Sequence, residues 1–155
     1  VIFGGGAEFT DAKKIVTDQE LSNVIIHELL PSDRISEVYS LGDIALITCK
    51  KGVGKAGMPS KTWSIMACNT PIVASFDTGS ELDFIVSSAK AGVCIEPENM
   101  DKLSKTILEC KEGRNLNMSR GREYVFKHAS KVICVGKYID ILEMEVRRNC
   151  DKSTR

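Results

Sequence analysis

No two of the six cysteines, Cys49, Cys68, Cys94, Cys110, Cys134 and Cys150, stand in C-x-x-C spacing. This excludes the common thiol-redox and zinc-ribbon patterns. Cys49, Cys68, Cys94 and Cys134 sit in apolar runs, where a free cysteine acts as a small hydrophobe, so they read as reduced core residues of a cytosolic protein. The two histidines, His27 and His128, are far apart and lack partner spacing, which argues against a metal site. No apolar run is long enough to span a bilayer, and no signal-peptide pattern is present. Net charge is also missing: 21 Lys and Arg balance 21 Asp and Glu. Global electrostatics therefore gives no reason to expect nucleic acid or an anionic membrane surface as a partner. There is no internal repeat and no low-complexity linker. The chain opens on the strand-like Val1-Ile2-Phe3 with no methionine, which reads as a piece of something longer.

One absence is local. Between Asp43 and Asp77 there is no acidic residue, whereas Lys50, Lys51, Lys55 and Lys61 all fall there. A solvated lysine loop is the plain reading of such a patch. The stretch inside it suggests more. Gly57-Met58-Pro59-Ser60-Lys61 leads into Thr62-Trp63-Ser64-Ile65-Met66-Ala67-Cys68, then Asn69-Thr70-Pro71 and the apolar Ile72-Val73-Ala74-Ser75. This is the pattern of a glycine loop, a short helix, a turn and a buried strand. A helix start collects unpaired N–H groups and the positive end of the dipole, which suits an anion. A lysine in that first turn opposes the dipole unless a phosphate lies between them.

What is there is otherwise ordinary for a soluble globular domain, 43% hydrophobic and 27% charged over 155 residues, enough for one domain with a real core. Strands are expected at Val1–Phe3, Asn23–His27, Ile44–Ile47, Pro71–Ser75 and Val93–Ile95. Between and after them come helical patterns: Phe9–Gln19, a helix opened by Pro31 with Ser32 or Asp33 as N-cap, the Ser60 helix, Met100–Lys111, Leu116–Phe126 and Ser130 to about Arg148. A frayed tail is expected over Asp151–Arg155. Continuous apolar runs mark strands covered on both faces, and strands alternating with helices mark a parallel sheet. The fold class is thus α/β, a doubly wound, Rossmann-like parallel sheet with helices on both faces and a helical C-terminal extension. Ligands bind such sheets outside the carboxyl ends of the strands. Three loops fall at that edge: Gly4-Gly5-Gly6, Cys49–Lys61 and Asp77–Glu81. The first is no G-x-G-x-x-G, because Phe9 holds the third glycine's place.

The order of these segments resembles the C-terminal, donor-binding half of the retaining family 4 (group 1) glycosyltransferases, which have the two-Rossmann-domain GT-B architecture. The resemblance is carried by Ile2-Phe3-Gly4-Gly5-Gly6, Asn23-Val24-Ile25-Ile26, Tyr39-Ser40-Leu41-Gly42-Asp43, the block Ser64–Ser75, Gly79-Ser80-Glu81 and Arg120–Val125. Met66–Ser75 is its most specific part. Pro59-Ser60-Lys61 is similar to a branch that assembles surface polysaccharides on lipid carriers.

The resemblance implies that residues 1–155 form one nucleotide-sugar-binding domain. The first strand and helix, and the N-terminal acceptor half, would precede Val1, and the fragment alone would be inactive. The whole protein would transfer a sugar from a nucleotide diphosphate-sugar, without a metal or other cofactor, to a glycan or lipid-linked acceptor. It would work in the cytoplasm, with docking at the inner face of the cell membrane as a further expectation. No catalytic residue is expected in this fragment. Donor contacts are expected at Gly5, Gly6, Gly57, Met58, Ser60, Lys61, Ser64 and Glu81. For Ser60 the plain alternative is an N-cap, for Lys61 an exposed lysine, and for Glu81 a helix whose cap is Ser80. Trp63 is expected to pack in the core. Two departures stand out. Ser64 holds the place of the family's ribose-binding glutamate, and Ala56 lies near the place of the other glutamate. A serine lacks a carboxylate's charge-assisted, bidentate grip. A non-catalytic homologue is therefore the main rival, and a nucleotide-sugar epimerase or other two-Rossmann-domain relative a weaker one.

Overall fold

The computed structural model describes residues 1–114 and 120–153. The strands are β1 (Ile2–Gly4), β2 (Ile26–Glu28), β3 (Ala45–Thr48), β4 (Ile72–Ser75) and β5 (Gly92–Ile95). The helices are α1 (Phe9–Asp18), α2 (Ile35–Ser40), α3 (Lys61–Ala67), α4 (Glu81–Ser88), α5 (Met100–Lys111), α6 (Gly121–His128) and α7 (Lys131–Ser153). Short 3-10 turns at Ser32–Arg34 and Gly54–Ala56 precede α2 and α3. All strand pairs are parallel, as the alternation of strands and helices requires. They form two ladders: β1 with β2, and β3-β4-β5 with β4 in the middle. The register runs from Ala45↔Ile72 to Thr48↔Ser75 and from Ile72↔Gly92 to Ser75↔Ile95.

The core sits entirely in the second ladder and its helices. Ile47, Ile72, Val73 and Ala74 are fully buried, and Ile65 and Met66 of α3, Leu82, Ile85 and Val86 of α4, and Val125 of α6 close over them. Each fully buried branched side chain contributes about 1.5–3 kcal/mol of burial free energy. β4 is the one strand whose four residues are all buried. The expectation of a third fully buried strand at Ile44–Ile47 is corrected, because only Ile47 is buried and Leu46 is 49% exposed. No described residue before Ile47 is buried, and β1 leaves Ile2 52% exposed. The physical reason is helix cover. Among the described elements α4 and α5 pack on β5 and β4, whereas no helix packs comparably on β1, β2 or β3, so their apolar runs lack cover on their faces.

Handoffs between elements follow local chemistry. α3 ends in a Schellman motif: Asn69 takes φ 61°, its N–H donates to the Met66 carbonyl, and the Thr70 N–H donates to that of Ile65. α4 ends the same way at Lys90. β5 opens on Gly92 because a Cβ there would lie 2.0 Å from the Ile72 carbonyl oxygen. Neither Ser32 nor Asp33 caps a helix: both sit inside the 3-10 turn, whose N-cap is Pro31 with no side-chain bond. α6 begins at Gly121, and the expected earlier start over Leu116–Ser119 lies outside the described residues. The helix α7 continues through Asp151 to Ser153, past the expected end near Arg148. No glycine or proline stops it. Thr154 and Arg155 lie outside the described residues. None of the described helices is long and apolar enough to cross a membrane.

Candidate functional site

The loops at the carboxyl ends of β3 and β4 are tied together by one side chain. Asp77, two residues past β4 and only 6% exposed, accepts the Gly52 N–H at Oδ1 (2.9 Å) and the Gly54 N–H at Oδ2 (2.7 Å). The loop can take this course because Gly52 adopts φ +83° and Gly54 is bare. A Cβ on Gly54 would lie 2.6 Å from the Phe76 ring and 3.1 Å from Asp77 Oδ2. The Val53 and Ala56 N–H groups close turns onto the Lys50 and Val53 carbonyls. The lysine-and-glycine loop is therefore a folded cap whose internal amides are largely spent.

The following residues differ. Among the described residues, no acceptor pairs with the backbone N–H groups of Gly57, Met58, Ser60 or Lys61. Pro59 between them has no N–H to offer. The carbonyls of Pro59 and Ser60 accept from Thr62 and Trp63, which starts the first turn of α3. Ser60 stands at the N-cap position with helical φ/ψ of −58° and −30°, and its side chain makes no cap bond. The plain N-cap role for Ser60 is thus corrected: a cap needs an extended backbone to turn its oxygen onto the N2 or N3 amide. Lys61 and Ser64 share the exposed face of α3, one turn apart, while Thr62, Ile65 and Met66 face the core. Trp63 is half-buried and packs on the core, as expected. The Thr62 hydroxyl is buried with no hydrogen-bond partner among the described residues.

The other expected contacts lie apart from this segment. Gly5 and Gly6 follow β1 on the separate ladder. Gly6 has φ +101°, and no hydrogen bond joins either residue to Gly57–Ser64. Glu81 is exposed at the first position of α4, whose N-cap is Ser80: its Oγ accepts the Asp83 N–H at 3.3 Å. Asp83 Oδ2 in turn accepts the Gly79 N–H at 2.9 Å. Ser80 thus caps α4, and the Glu81 side chain stays exposed beside it. Two open depressions flank the strand ends. One, about 520 Å³, is lined by Lys51, Glu96, Glu98, Asn99 and Asp101. The other, about 630 Å³, lies beside the stacked rings of Phe3 and His27. Neither is lined by Gly57, Met58, Ser60, Lys61 or Ser64.

Lys50, Lys51, Lys55 and Lys61 are all exposed, and among the described residues none forms an ion pair. The Gly57–Lys61 segment thus combines unspent amides with the exposed Lys61 ammonium, an arrangement that attracts anions, whereas Lys51 stands among the acids of the first depression. No described group of three His, Cys, Asp or Glu residues has a metal-holding geometry. The five described cysteines are free, and each is half-buried, short of the full burial expected for the four in apolar runs. Cys94 donates its S–H to the Phe76 carbonyl at 3.4 Å. Burial, aided by the negative charge of Asp83, pushes its pKa up to about 11. Sequence reasoning missed Asp77. Its one signal is position, as the first acid after the acid-free lysine stretch, directly beyond the most apolar strand.

Comparison with known proteins now adds to this geometry. The family model described as glycosyl transferases group 1 matches residues 1–124. A probable glycosyltransferase, WbjE of Pseudomonas aeruginosa, is 28% identical over 106 residues, covering 68% of this chain and 26% of the relative. A putative colanic acid biosynthesis glycosyl transferase, WcaI of Escherichia coli (strain K12), is 27% identical over 103 residues, covering 66% and 25%. The chain spans about a quarter of the length of these curated relatives. With most of its length matched and its parallel α/β fold in accord, the chain belongs to the group 1 glycosyltransferases.

Proposed function

We propose that this chain is the donor-binding domain of a retaining, family 4 glycosyltransferase of the GT-B architecture. The whole protein transfers a sugar from a nucleotide diphosphate-sugar to a glycan or lipid-linked acceptor. The observation that carries the reading is the run of unspent amides at Gly57, Met58, Ser60 and Lys61, beside the Lys61 ammonium. As the bond between the anomeric carbon and the leaving diphosphate breaks, negative charge grows on the phosphate oxygen. Fixed amides and a cation placed there stabilise that charge more than they stabilise the ground state. In this reading the diphosphate lies along Gly57–Lys61, Ser64 one turn on meets a ribose hydroxyl, and Glu81 meets the sugar. Gly5 and Gly6 approach the donor from the other ladder. The chemistry runs without a metal. The colanic acid role in the name of one relative supports a surface-polysaccharide product. A cytoplasmic setting at the inner membrane face belongs to the same reading.

The open edges of β1 and β3, with no buried residue before Ile47, support a further strand and helix seated between the two ladders. That arrangement matches the strand order of doubly wound sheets, in which the first strand is central. An acceptor-binding domain completes the site in this reading, so the fragment alone is inactive.

The test is a titration of the isotopically labelled chain with UDP, GDP and ADP, followed through backbone amide resonances. The reading expects at least one of them to shift Gly57, Met58, Ser60 and Lys61 saturably, and it fails if none does. One observation favours a second reading, a non-catalytic homologue. Ser64 is exposed on the α3 face, where the resemblance places a glutamate. Ser64→Glu separates the two: a degenerate pocket gains nucleotide affinity, and a re-tuned one loses it.

A further inference from the structure

We propose that Asp77 is a positioning residue for the diphosphate loop, fixing through the Gly52 and Gly54 amides where the unspent amides of Gly57–Lys61 stand. The inference rests on the reading of Gly57–Lys61 as the place of the diphosphate. A carboxylate that is 6% exposed is costly to bury unless its charge is met. Among the described residues no cation pairs with Asp77, although four lysines lie in the adjoining sequence. Both oxygens are instead occupied by backbone donors two residues apart, at 2.9 and 2.7 Å. Charge-assisted bonds to amides are shorter and stronger than neutral ones, and two on one rigid carboxylate fix direction as well as distance.

The consequence is geometric. The β3–α3 connection is anchored at three places: Cys49, whose N–H donates to the Ser75 carbonyl, then Gly52 and Gly54 on Asp77. Beyond Gly54 the chain makes one 3-10 turn and reaches Gly57. Asp77 thus divides the loop's donors into two sets. It consumes the amides of residues 52 and 54 and leaves those of 57, 58, 60 and 61 for a ligand, already held in place. A site formed before the ligand arrives avoids the ordering cost of binding.

The test compares Asp77→Asn with Val86→Ala, a core truncation in α4, which packs on β5, so that stability falls without disturbing α3. Asparagine keeps the shape but turns an N–H₂ toward one of the two donors. Asp77→Asn is expected to weaken binding of whichever of UDP, GDP and ADP the parent chain binds by about ten-fold, as loss of one charge-assisted bond implies. It is also expected to move the Gly57–Lys61 amide resonances, while Val86→Ala leaves both unchanged. Binding by Asp77→Asn within two-fold of the parent, or equal weakening in Val86→Ala, overturns the inference and leaves the diphosphate reading standing. If none of the three nucleotides binds the parent chain, the diphosphate reading fails and this inference falls with it. If Asp77→Asn does not fold, hydrogen exchange in the parent chain decides. The Gly52 and Gly54 amides should be protected before any nucleotide is added, and protection that arises only with nucleotide overturns the inference.

Discussion

Adding one methyl group at Gly54 tests how tightly the loop is seated. Gly54 is buried, and its missing Cβ would meet two Phe76 ring carbons at 2.6 and 2.8 Å and Asp77 Oδ2 at 3.1 Å. Phe76 is 3% exposed and cannot swing into solvent. Two responses are open to Gly54→Ala. The ring and its neighbours can yield, at an overpacking cost of about 1–3 kcal/mol. Alternatively the loop can lift, stretching the Gly54 N–H bond to a carboxylate worth about 1.5–3 kcal/mol. The molecule takes the cheaper course, so these are alternatives and not a sum, and the expected loss is about 2 kcal/mol. Urea unfolding reads it as a lower midpoint at unchanged slope. Phe76→Leu in the same chain removes the ring atoms in the way, so the double variant should be less destabilised than the two single losses combined, by about 1 kcal/mol. A Gly54→Ala loss below about 0.5 kcal/mol, within the usual range of surface changes, would refute the close seating, and so would strict additivity with Phe76→Leu.

Three further outcomes follow from single atoms. Thr62→Val removes a buried hydroxyl that has no partner among the described residues, so it should raise stability by about 1 kcal/mol and the melting midpoint by about 2–4 °C; a fall of that size would mean the hydroxyl is bonded. Cys94 stays protonated in the native chain up to about pH 11, whereas its ordinary value is near 9.0. Between those values the unfolded chain binds fewer protons than the native one, so stability falls as pH rises from about 9 to 11. Cys94→Ala should flatten that limb in a pH series of urea midpoints, and an unchanged limb assigns it elsewhere. Ser64→Glu should alter nucleoside diphosphate affinity in calorimetry, upward if the pocket is degenerate and downward if it is re-tuned; no change would remove position 64 from the site.

Sequence pattern carried the fold class well where signals were local. The Ile72–Ser75 run reads as a buried strand because every residue in it is apolar or small, and all four are buried. Met100–Lys111 was legible to the residue, and in the fold the Asn99 side chain caps it by accepting the Lys102 N–H. The division of the strands into two ladders was not legible, because hydrophobicity records what a strand is suited to and not which neighbour pairs with it. Within the site, the segment Gly57–Lys61 stood out through its glycine, proline and lysine spacing. Ser60 misled, because a serine before a helix suggests a cap and only φ/ψ decides whether it makes one. Asp77 stayed hidden for a different reason: its partners are backbone amides 23 and 25 residues away, which leave no trace in residue identity.

The most direct test of the central claim is the effect of Lys61→Ala on binding of nucleoside diphosphate, measured by calorimetry at low and high salt. Lys61 is exposed at the start of α3, so its loss should leave the melting midpoint unchanged. If the diphosphate lies along Gly57–Lys61, affinity should drop about ten-fold at low salt, with a smaller difference at high salt, where charge is screened. Parent-like affinity in Lys61→Ala at low salt would contradict the account.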